Sequence, residues 1–235
     1  MLIFLILAFV FAALEWASEY KKFKLGIYLT KPTVIICLVA WVWTYSNLPV
    51  MVTNLYTFSL LWFVVGLAFC LVGDIFLMLP PERFFIPGLI AFLLGHIFYI
   101  LGFDRVLPPE GTWIPAGILI LMLLVVFFTV NQRLAQGLEK LGKPKMKRPI
   151  LIYALVISIM LYGALMTLLD DIWLFTPSLW VSAGALLFYV SDIMNAWTRF
   201  VAPISNDRFK IMTTYHLGQI AISVGATLHF VSFVR

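Results

Sequence analysis

Two aspartates lie within long apolar stretches of the sequence and are its strongest candidates for chemistry. Asp74 occurs in the segment FCLVGDIFLMLP, and Asp192 ends the segment GALLFYVSD. An Asp in the middle of a membrane costs about 2.5–3.5 kcal/mol on insertion scales. A Ser or an Asn would make the same hydrogen bonds without that cost, so a purely structural role is disfavoured. Buried carboxyl groups of this kind act as general acids and bases, or as proton relays in transporters.

Further polar residues recur at helical spacing in other apolar stretches. His96 follows Gly88 and Phe92 on one helical stripe of GLIAFLLGHIFY, and Tyr215 and Gln219 are four residues apart in TYHLGQ. Taken alone, each of these side chains could be a structural group that forms a hydrogen bond between helices. Together with the aspartates, they indicate a shared polar site.

The elements that position these residues must be membrane helices. The 235-residue chain is 63% hydrophobic and only 11% charged, whereas a soluble domain is about half apolar and a quarter charged. One core cannot hide that much apolar surface, so lipid must be the solvent. The sequence predicts an all-α, polytopic transmembrane helical bundle that forms a single domain over residues 1–235.

Apolar runs near the length of a bilayer crossing predict about eight spans. The predicted spans are Leu2–Trp16, Thr33–Tyr45, Leu55–Leu79, Phe85–Phe103, Trp113–Val130, Ile150–Leu169, Pro177–Trp197 and Ile211–Val234. The first two are short, because the lysines at 21, 22, 24 and 31 are interpreted as a break between them.

The positive charges are distributed unevenly between the two sides of these spans. Fourteen of the 16 Lys and Arg residues follow spans one, three, five and seven. The positive-inside rule then predicts that both termini lie on the non-cytoplasmic side. The basic cluster 143–148 would face an anionic leaflet, which argues against nucleic acid as a partner. The protein is expected to be a multi-pass integral membrane protein of either the bacterial inner membrane or a eukaryotic endomembrane.

The predicted orientation also gives each polar group a depth. Asp74 lies about 7 Å, Asp192 about 12 Å and His96 about 17 Å from the cytoplasmic end of its span. Tyr215 and Gln219 fall in the same half. Because the spans alternate in direction, this agreement favours one cavity that opens to the cytoplasmic leaflet.

Four segments in order resemble the YhhN family of membrane lysoplasmalogenases: GDIFL, FLLGHIFY, GALLFYVSDIMNAW and IMTTYHLGQ. The resemblance implies about eight helices and hydrolysis of the vinyl-ether bond of lysoplasmalogens. The products would be a fatty aldehyde and glycerophosphoethanolamine or glycerophosphocholine. The matching positions are Gly73, Asp74, His96, Tyr99, Ser191, Asp192, Tyr215 and Gln219. His216 departs from the pattern, which often has a second Tyr there.

Vinyl-ether hydrolysis needs a protonated acid and a group that stabilises the resulting oxocarbenium ion. Two nearby carboxyl groups meet both needs, as they do in glycosidases. Asp74 and Asp192 are predicted to form this pair, with the order of their roles left open. His96, Tyr215 and Gln219 are expected to orient the pair or the attacking water.

The substrate would be a single-chain lysophospholipid, and no cofactor or metal is expected. Lys31 is predicted to hold the phosphate or, alternatively, to be an interfacial anchor that snorkels to the membrane surface. Tyr99, Ser191 and His216 are predicted to bind the substrate. The alkaline ceramidase type of hydrolase binds zinc through Asp and several His, but this chain has only three His.

Three other functions stay open on the sequence alone. The carboxylates can belong to a proton-coupled transporter, although no inverted repeats or matched broken helices are evident. A metal-dependent, lipid amidase-like hydrolase is a second alternative. A structural or signalling membrane protein without chemistry is the third, and the oligomeric state is undetermined.

Overall fold

The described chain folds as a bundle of α-helices. In the computed structural model, which describes residues 2–104 and 107–234, no strand occurs. The helices are α1 (Leu2–Tyr20), α2 (Lys24–Ser46), α3 (Leu48–Met51), α4 (Ser59–Met78), α5 (Pro81–Phe103), α6 (Trp113–Lys140), α7 (Lys147–Met166), α8 (Phe175–Phe200) and α9 (Asp207–Val231). Two short 3-10 turns, Pro144–Met146 and Thr167–Leu169, flank α7. The all-α prediction is confirmed.

Seven of the described helices are long and apolar enough to cross a membrane: α1, α2 and α4 to α8, with α7 counted together with its flanking turns. The eighth predicted span coincides with α9, which has 25 residues but is not among the seven. Its polar residues face the interior of the bundle, where Tyr215, His216 and Gln219 are buried. The helix packs against α1, α2, α4 and α8. Neighbouring helices therefore shield α9 from lipid, which makes its lower apolarity tolerable.

The second helix starts about two turns earlier than predicted. The structure begins α2 at Lys24 and places Lys31 inside it, 2% exposed. The predicted break between the first two spans is confirmed at residues 21–23, but its extension to Lys31 was wrong, as was the alternative that Lys31 is a snorkelling anchor. Its ammonium forms a buried ion pair with Asp74, and the paired charge does not end the helix.

Small residues allow α4 and α5 to pack with their backbones in contact. A Cβ atom added to Gly66 would lie 3.1 Å from the Gly95 carbonyl oxygen, and one added to Gly73 would lie 2.6 Å from the Phe92 ring. Gly66 and Gly73 thus form a small-residue stripe beside Asp74 that makes a close helix contact. It fixes the relative position of Asp74 on α4 and His96 on α5.

Helices α8 and α9 also pack with their backbones in contact at glycines. A Cβ atom on Gly184 would lie 2.7 Å from the Gly218 carbonyl oxygen, and one on Gly218 would lie 2.8 Å from that of Gly184. This contact holds Asp192, two turns after Gly184, beside the polar face of α9.

Apart from the four-residue α3, consecutive helices run in opposite directions, so four connections meet at one end of the bundle. They are the connections α1–α2, α4–α5, α6–α7 and α8–α9, and we call this the basic end because most Lys and Arg residues lie there. Contacts across it include the Tyr28 hydroxyl donating to the Met78 carbonyl oxygen at 3.1 Å. An ion pair joins Glu19 to Arg208 at 3.0 Å.

Candidate active site

A cleft of about 1000 Å³, its open mouth included, lies toward the basic end. Residues from α2 and from α4 to α9 line it. Both predicted catalytic aspartates, Asp74 and Asp192, are among them, together with Lys31, Ser191 and Tyr215. The structure therefore brings together five residues from four helices, α2, α4, α8 and α9.

Asp74 lies between a cation and a hydroxyl donor. Its Oδ1 is 3.0 Å from the Lys31 Nζ, and its Oδ2 accepts a hydrogen bond from the Tyr215 hydroxyl at 2.7 Å. All three side chains are almost fully buried. A buried carboxylate needs this kind of compensation, so the arrangement suits an ionised Asp74.

Asp192 has a different set of neighbours. Its Oδ2 accepts a hydrogen bond from the Tyr153 hydroxyl and is 3.3 Å from the His96 Nε2. The same His96 nitrogen is 3.0 Å from the Tyr153 oxygen. The Asp192 side chain is 16% exposed, whereas His96 is fully buried behind it. Asp192 and Tyr153 thus line the cleft, whereas His96 does not.

An aromatic ring joins the two halves of the site. Phe188 on α8 has its ring centroid 4.7 Å from that of His96 and 5.2 Å from that of Tyr215. Phe92 packs edge-on against Phe188 and Tyr215 and lines the cleft. These rings exclude water from the region behind the carboxylates.

Three of the predicted residues form hydrogen bonds between helices, and two of them, Tyr99 and Gln219, lie behind the cleft. The Tyr99 hydroxyl donates to Oε1 of Gln219, and both residues are fully buried. The Ser191 hydroxyl faces the cleft but donates to the Ile211 carbonyl oxygen at 2.9 Å. Tyr99 and Gln219 tie α5 to α9, and Ser191 ties α8 to α9.

His216 points away from the cleft toward α1. Its Nδ1 is 3.7 Å from Oε2 of Glu15, and both side chains are fully buried. Glu15 lies in the first predicted span but was not among the predicted site residues. Its neighbour Glu19, one helical turn later, carries the ion pair with Arg208.

Two arginines line the cleft at the basic end. Arg199 lies near the end of α8, with its guanidinium carbon 4.5 Å from the centre of the Phe85 ring. Arg208 comes from the first turn of α9 and reaches both the cleft and Glu19. The arrangement places positive charge at the mouth and carboxyl groups deeper inside.

Comparison with known proteins assigns the chain to a family. The model of the YhhN family matches residues 26–226. The chain belongs to the YhhN family. The matched segment contains every predicted site residue, from Lys31 to Gln219. No solved structure matches the chain.

Curated relatives of this YhhN chain occur in animals and bacteria. Lysoplasmalogenase TMEM86B of Homo sapiens is 30% identical over 200 residues, which is 84% of this chain and 74% of that protein. Lysoplasmalogenase TMEM86A of Bos taurus is 30% identical over 69% of the chain and 63% of its own length. The lysoplasmalogenase of Mycobacterium tuberculosis is 27% identical over 70% of the chain and 59% of its own length. The last two alignments therefore span just under two thirds of those relatives.

Sequence reasoning missed two cleft residues of this YhhN protein, Tyr153 and Arg199, and the buried Glu15 beside His216. Tyr153 gives no signal in the sequence, because a Tyr in an apolar helix is common and its contact with Asp192 is tertiary. Arg199 does carry a signal, since it lies seven residues after Asp192 and so on the same helical face. Glu15 could have been found as a carboxylate inside a predicted span.

Metal-ligating side chains are not clustered in the part of this YhhN chain that the structure describes. Within residues 2–104 and 107–234, no three His, Cys, Asp or Glu side chains are close enough to hold one ion. The side chains of Asp74 and Asp192 instead contact Lys, Tyr or His side chains. The arrangement suits proton transfer between carboxyl, imidazole and phenol groups.

Proposed function

We propose that the protein is a membrane hydrolase that cleaves the vinyl-ether bond of lysoplasmalogens. The products are a fatty aldehyde and a glycerophospho-alcohol. The observation that carries the proposal is that Asp74 and Asp192 line one cleft of a YhhN chain. The relatives named lysoplasmalogenase support the choice of substrate.

The chemistry of the bond explains why two carboxyl groups are needed. A vinyl ether resists nucleophiles but is cleaved by acid, through protonation of the outer carbon of the double bond. This step leaves an oxocarbenium ion, which a nearby anion stabilises. Glycosidases use paired carboxyl groups for a cation of the same type.

Asp74 is assigned the role of the anion. The Lys31 ammonium and the Tyr215 hydroxyl both favour its charged form. The predicted phosphate role of Lys31 is less compatible with this contact, because the ammonium is already paired within the site. Lys31 and Tyr215 therefore act as positioning residues for Asp74.

Asp192 is assigned the role of the acid. Its group with His96 and Tyr153 can hold one shared proton. Because Asp192 lines the cleft and His96 does not, Asp192 delivers that proton to the substrate carbon. His96 and Tyr153 orient its carboxyl group.

The reaction then returns both groups to their starting state. Asp192 first protonates the vinyl carbon, and Asp74 stabilises the resulting cation. Asp74 next accepts a proton from the water that adds to this cation, which gives a neutral hemiacetal. As the hemiacetal C–O bond breaks, Asp192 takes the hydroxyl proton and Asp74 protonates the leaving oxygen. Aldehyde and alcohol leave, with Asp192 again protonated and Asp74 again ionised.

The headgroup phosphate is proposed to bind at the basic end. Arg199 and Arg208 line the mouth of the cleft, and a guanidinium group suits phosphate recognition. If the positive-inside rule holds here, this mouth opens to the cytoplasmic leaflet.

A side-by-side assay tests the proposed activity. Purified protein in detergent is given a vinyl-ether lysolipid and the ester lysolipid of the same chain length, and aldehyde and fatty acid release are measured. We expect aldehyde from the vinyl ether, little release from the ester and no change on addition of EDTA. Proton or solute flux across sealed vesicles without any lipid turnover would favour the transporter alternative. Inhibition by EDTA that zinc reverses would favour the metal-dependent hydrolase.

A further inference from the structure

A second cavity lies between α6 and α7, next to the cleft. Apolar side chains of both helices line most of it, including Ile120, Leu124 and Ile159. Phe127 lines this cavity and the cleft, so the two are neighbours along one face of α6. We call the second cavity the α6–α7 groove.

The packing of α6 explains why the groove exists. The buried residues of α6 are Ala116 near its start and Leu134, Gly137 and Leu138 near its end. Ala116 packs with Tyr162 and Met166 of α7, and Leu134 packs near Ile150 and Phe200. The α6 residues 117–133 include none that is buried. The helix is thus packed most tightly at its two ends, and between them its side chains are only partly buried or exposed.

We propose that the α6–α7 groove binds the hydrocarbon chain of the lysolipid substrate. This inference rests on the proposed function. The reacting bond joins the headgroup of the lysolipid to its hydrocarbon chain. With this bond at the aspartate pair, the headgroup and the hydrocarbon chain must extend in different directions. The arginines lie at the basic end, whereas the groove extends from Phe127 toward the opposite end of α6.

Length and chemistry both suit this occupant. From Phe127 to Trp113, the groove follows 15 residues of α6, whose 14 steps of about 1.5 Å correspond to about 21 Å of helix. A lipid chain fills one leaflet of a hydrocarbon core that is about 30 Å thick, which is about 15 Å. The Ser158 hydroxyl in the groove already donates to the Ala154 carbonyl oxygen at 2.7 Å. An apolar ligand beside it therefore leaves no unpaired hydrogen-bond donor.

Gly117 offers a way to fill the groove without disturbing the fold. It lines the groove, and a Cβ atom added to it would meet nothing within 4 Å. Gly117→Phe therefore places a ring in open space. Ile118→Phe is the matched control, because Ile118 is 55% exposed on the lipid-facing side of the same turn.

The first measurement compares kcat/KM for long-chain and short-chain lysoplasmalogens. We expect Gly117→Phe to lower the long-to-short ratio about tenfold, because a hydrophobic pocket discriminates by chain volume. Ile118→Phe should leave the ratio unchanged. An unchanged ratio in Gly117→Phe, or an equal fall in both variants, would overturn the inference.

The second measurement does not depend on turnover. An alkyl-ether lysophosphatidylcholine, which lacks the double bond, carries a diazirine at the chain end and is crosslinked to the protein. We expect labelling within residues 113–127 or 155–162 that excess unlabelled alkyl-ether lysolipid displaces and that Gly117→Phe reduces. Displaceable labelling confined to other segments would refute the chain site. If displaceable labelling occurs at the groove but no lysoplasmalogen is hydrolysed, the hydrolysis proposal fails and the chain site stands.

Discussion

At the scale of single residues, the two aspartates differ in what surrounds them. Asp74 contacts a lysine, and Asp192 contacts a histidine and a tyrosine. Sequence alone placed both carboxyl groups in one cavity but left their roles open. The missing information was tertiary, because Lys31 and Tyr153 lie 43 and 39 positions from the aspartates that they contact. Only the fold reveals which partner belongs to which acid.

We expect Asp74→Asn and Asp192→Asn each to lower turnover about 100-fold or more, because an amide can neither donate the proton nor neutralise the cation. Aldehyde release from purified variants measures the effect. Asp171→Asn, an exposed site between α7 and α8, is the matched control and should retain wild-type rates. Near wild-type hydrolysis by either cleft variant would contradict the paired-carboxyl mechanism.

The Lys31–Asp74 pair makes a separate prediction about stability. Lys31→Met leaves a buried carboxylate without its cation and should cost about 3–5 kcal/mol. The double variant Lys31→Met/Asp74→Asn removes both charges and should recover most of that loss without recovering activity. Thermal unfolding in detergent measures the stability of both. Equal stability of Lys31→Met and the wild type would show that the pair contributes little.

At the scale of elements, the helices and their close contacts were largely predictable. The small-residue stripe of α4 was visible in the sequence, because Gly66, Cys70 and Gly73 recur at helical spacing. The start of α2 was not predicted, since the charge of Lys31 looks like an interface until its partner is known. Glu15 was overlooked for a related reason, because its burial depends on how α1 packs against α9.

The contact between α8 and α9 should be sensitive to any added side chain. A Cβ atom on Gly184 would lie 2.7 Å from a backbone oxygen, which cannot move without shifting α9. We expect Gly184→Leu to lower the free energy of unfolding by about 1–3 kcal/mol or more and to reduce activity. Gly117→Leu, in open space on α6, should leave the thermal midpoint near that of the wild type. A similar midpoint for both variants would contradict the packing argument.

At the scale of the whole molecule, the positive charges and the cleft lie at the same end of the bundle. The predicted orientation places this end in the cytoplasm. The cleft would then receive lysolipid from the inner leaflet, while the two arginines hold the headgroup near the surface. The direction of the protein in its membrane therefore decides which leaflet supplies the substrate.

Cysteine labelling tests that orientation. Lys143 is exposed at the basic end and Asp171 is exposed at the opposite end, so Lys143→Cys and Asp171→Cys each present a thiol at one end. The native Cys37 and Cys70 are buried. A membrane-impermeant thiol reagent should label Asp171→Cys on intact cells and Lys143→Cys only after the membrane is opened. The reverse pattern would place the basic end outside the cytoplasm.

The polar character of α9 has a consequence for how the protein is made. This helix follows the other described helices in the chain, and its Tyr, His and Gln side chains would be poorly tolerated by lipid alone. It can therefore enter the bilayer stably only when α1, α2, α4 and α8 are already there to receive it. Tyr215 arrives with it, so the carboxylate of Asp74 acquires its hydroxyl partner only once α9 has packed. An unfinished bundle would hold the two acids without the element that completes their surroundings.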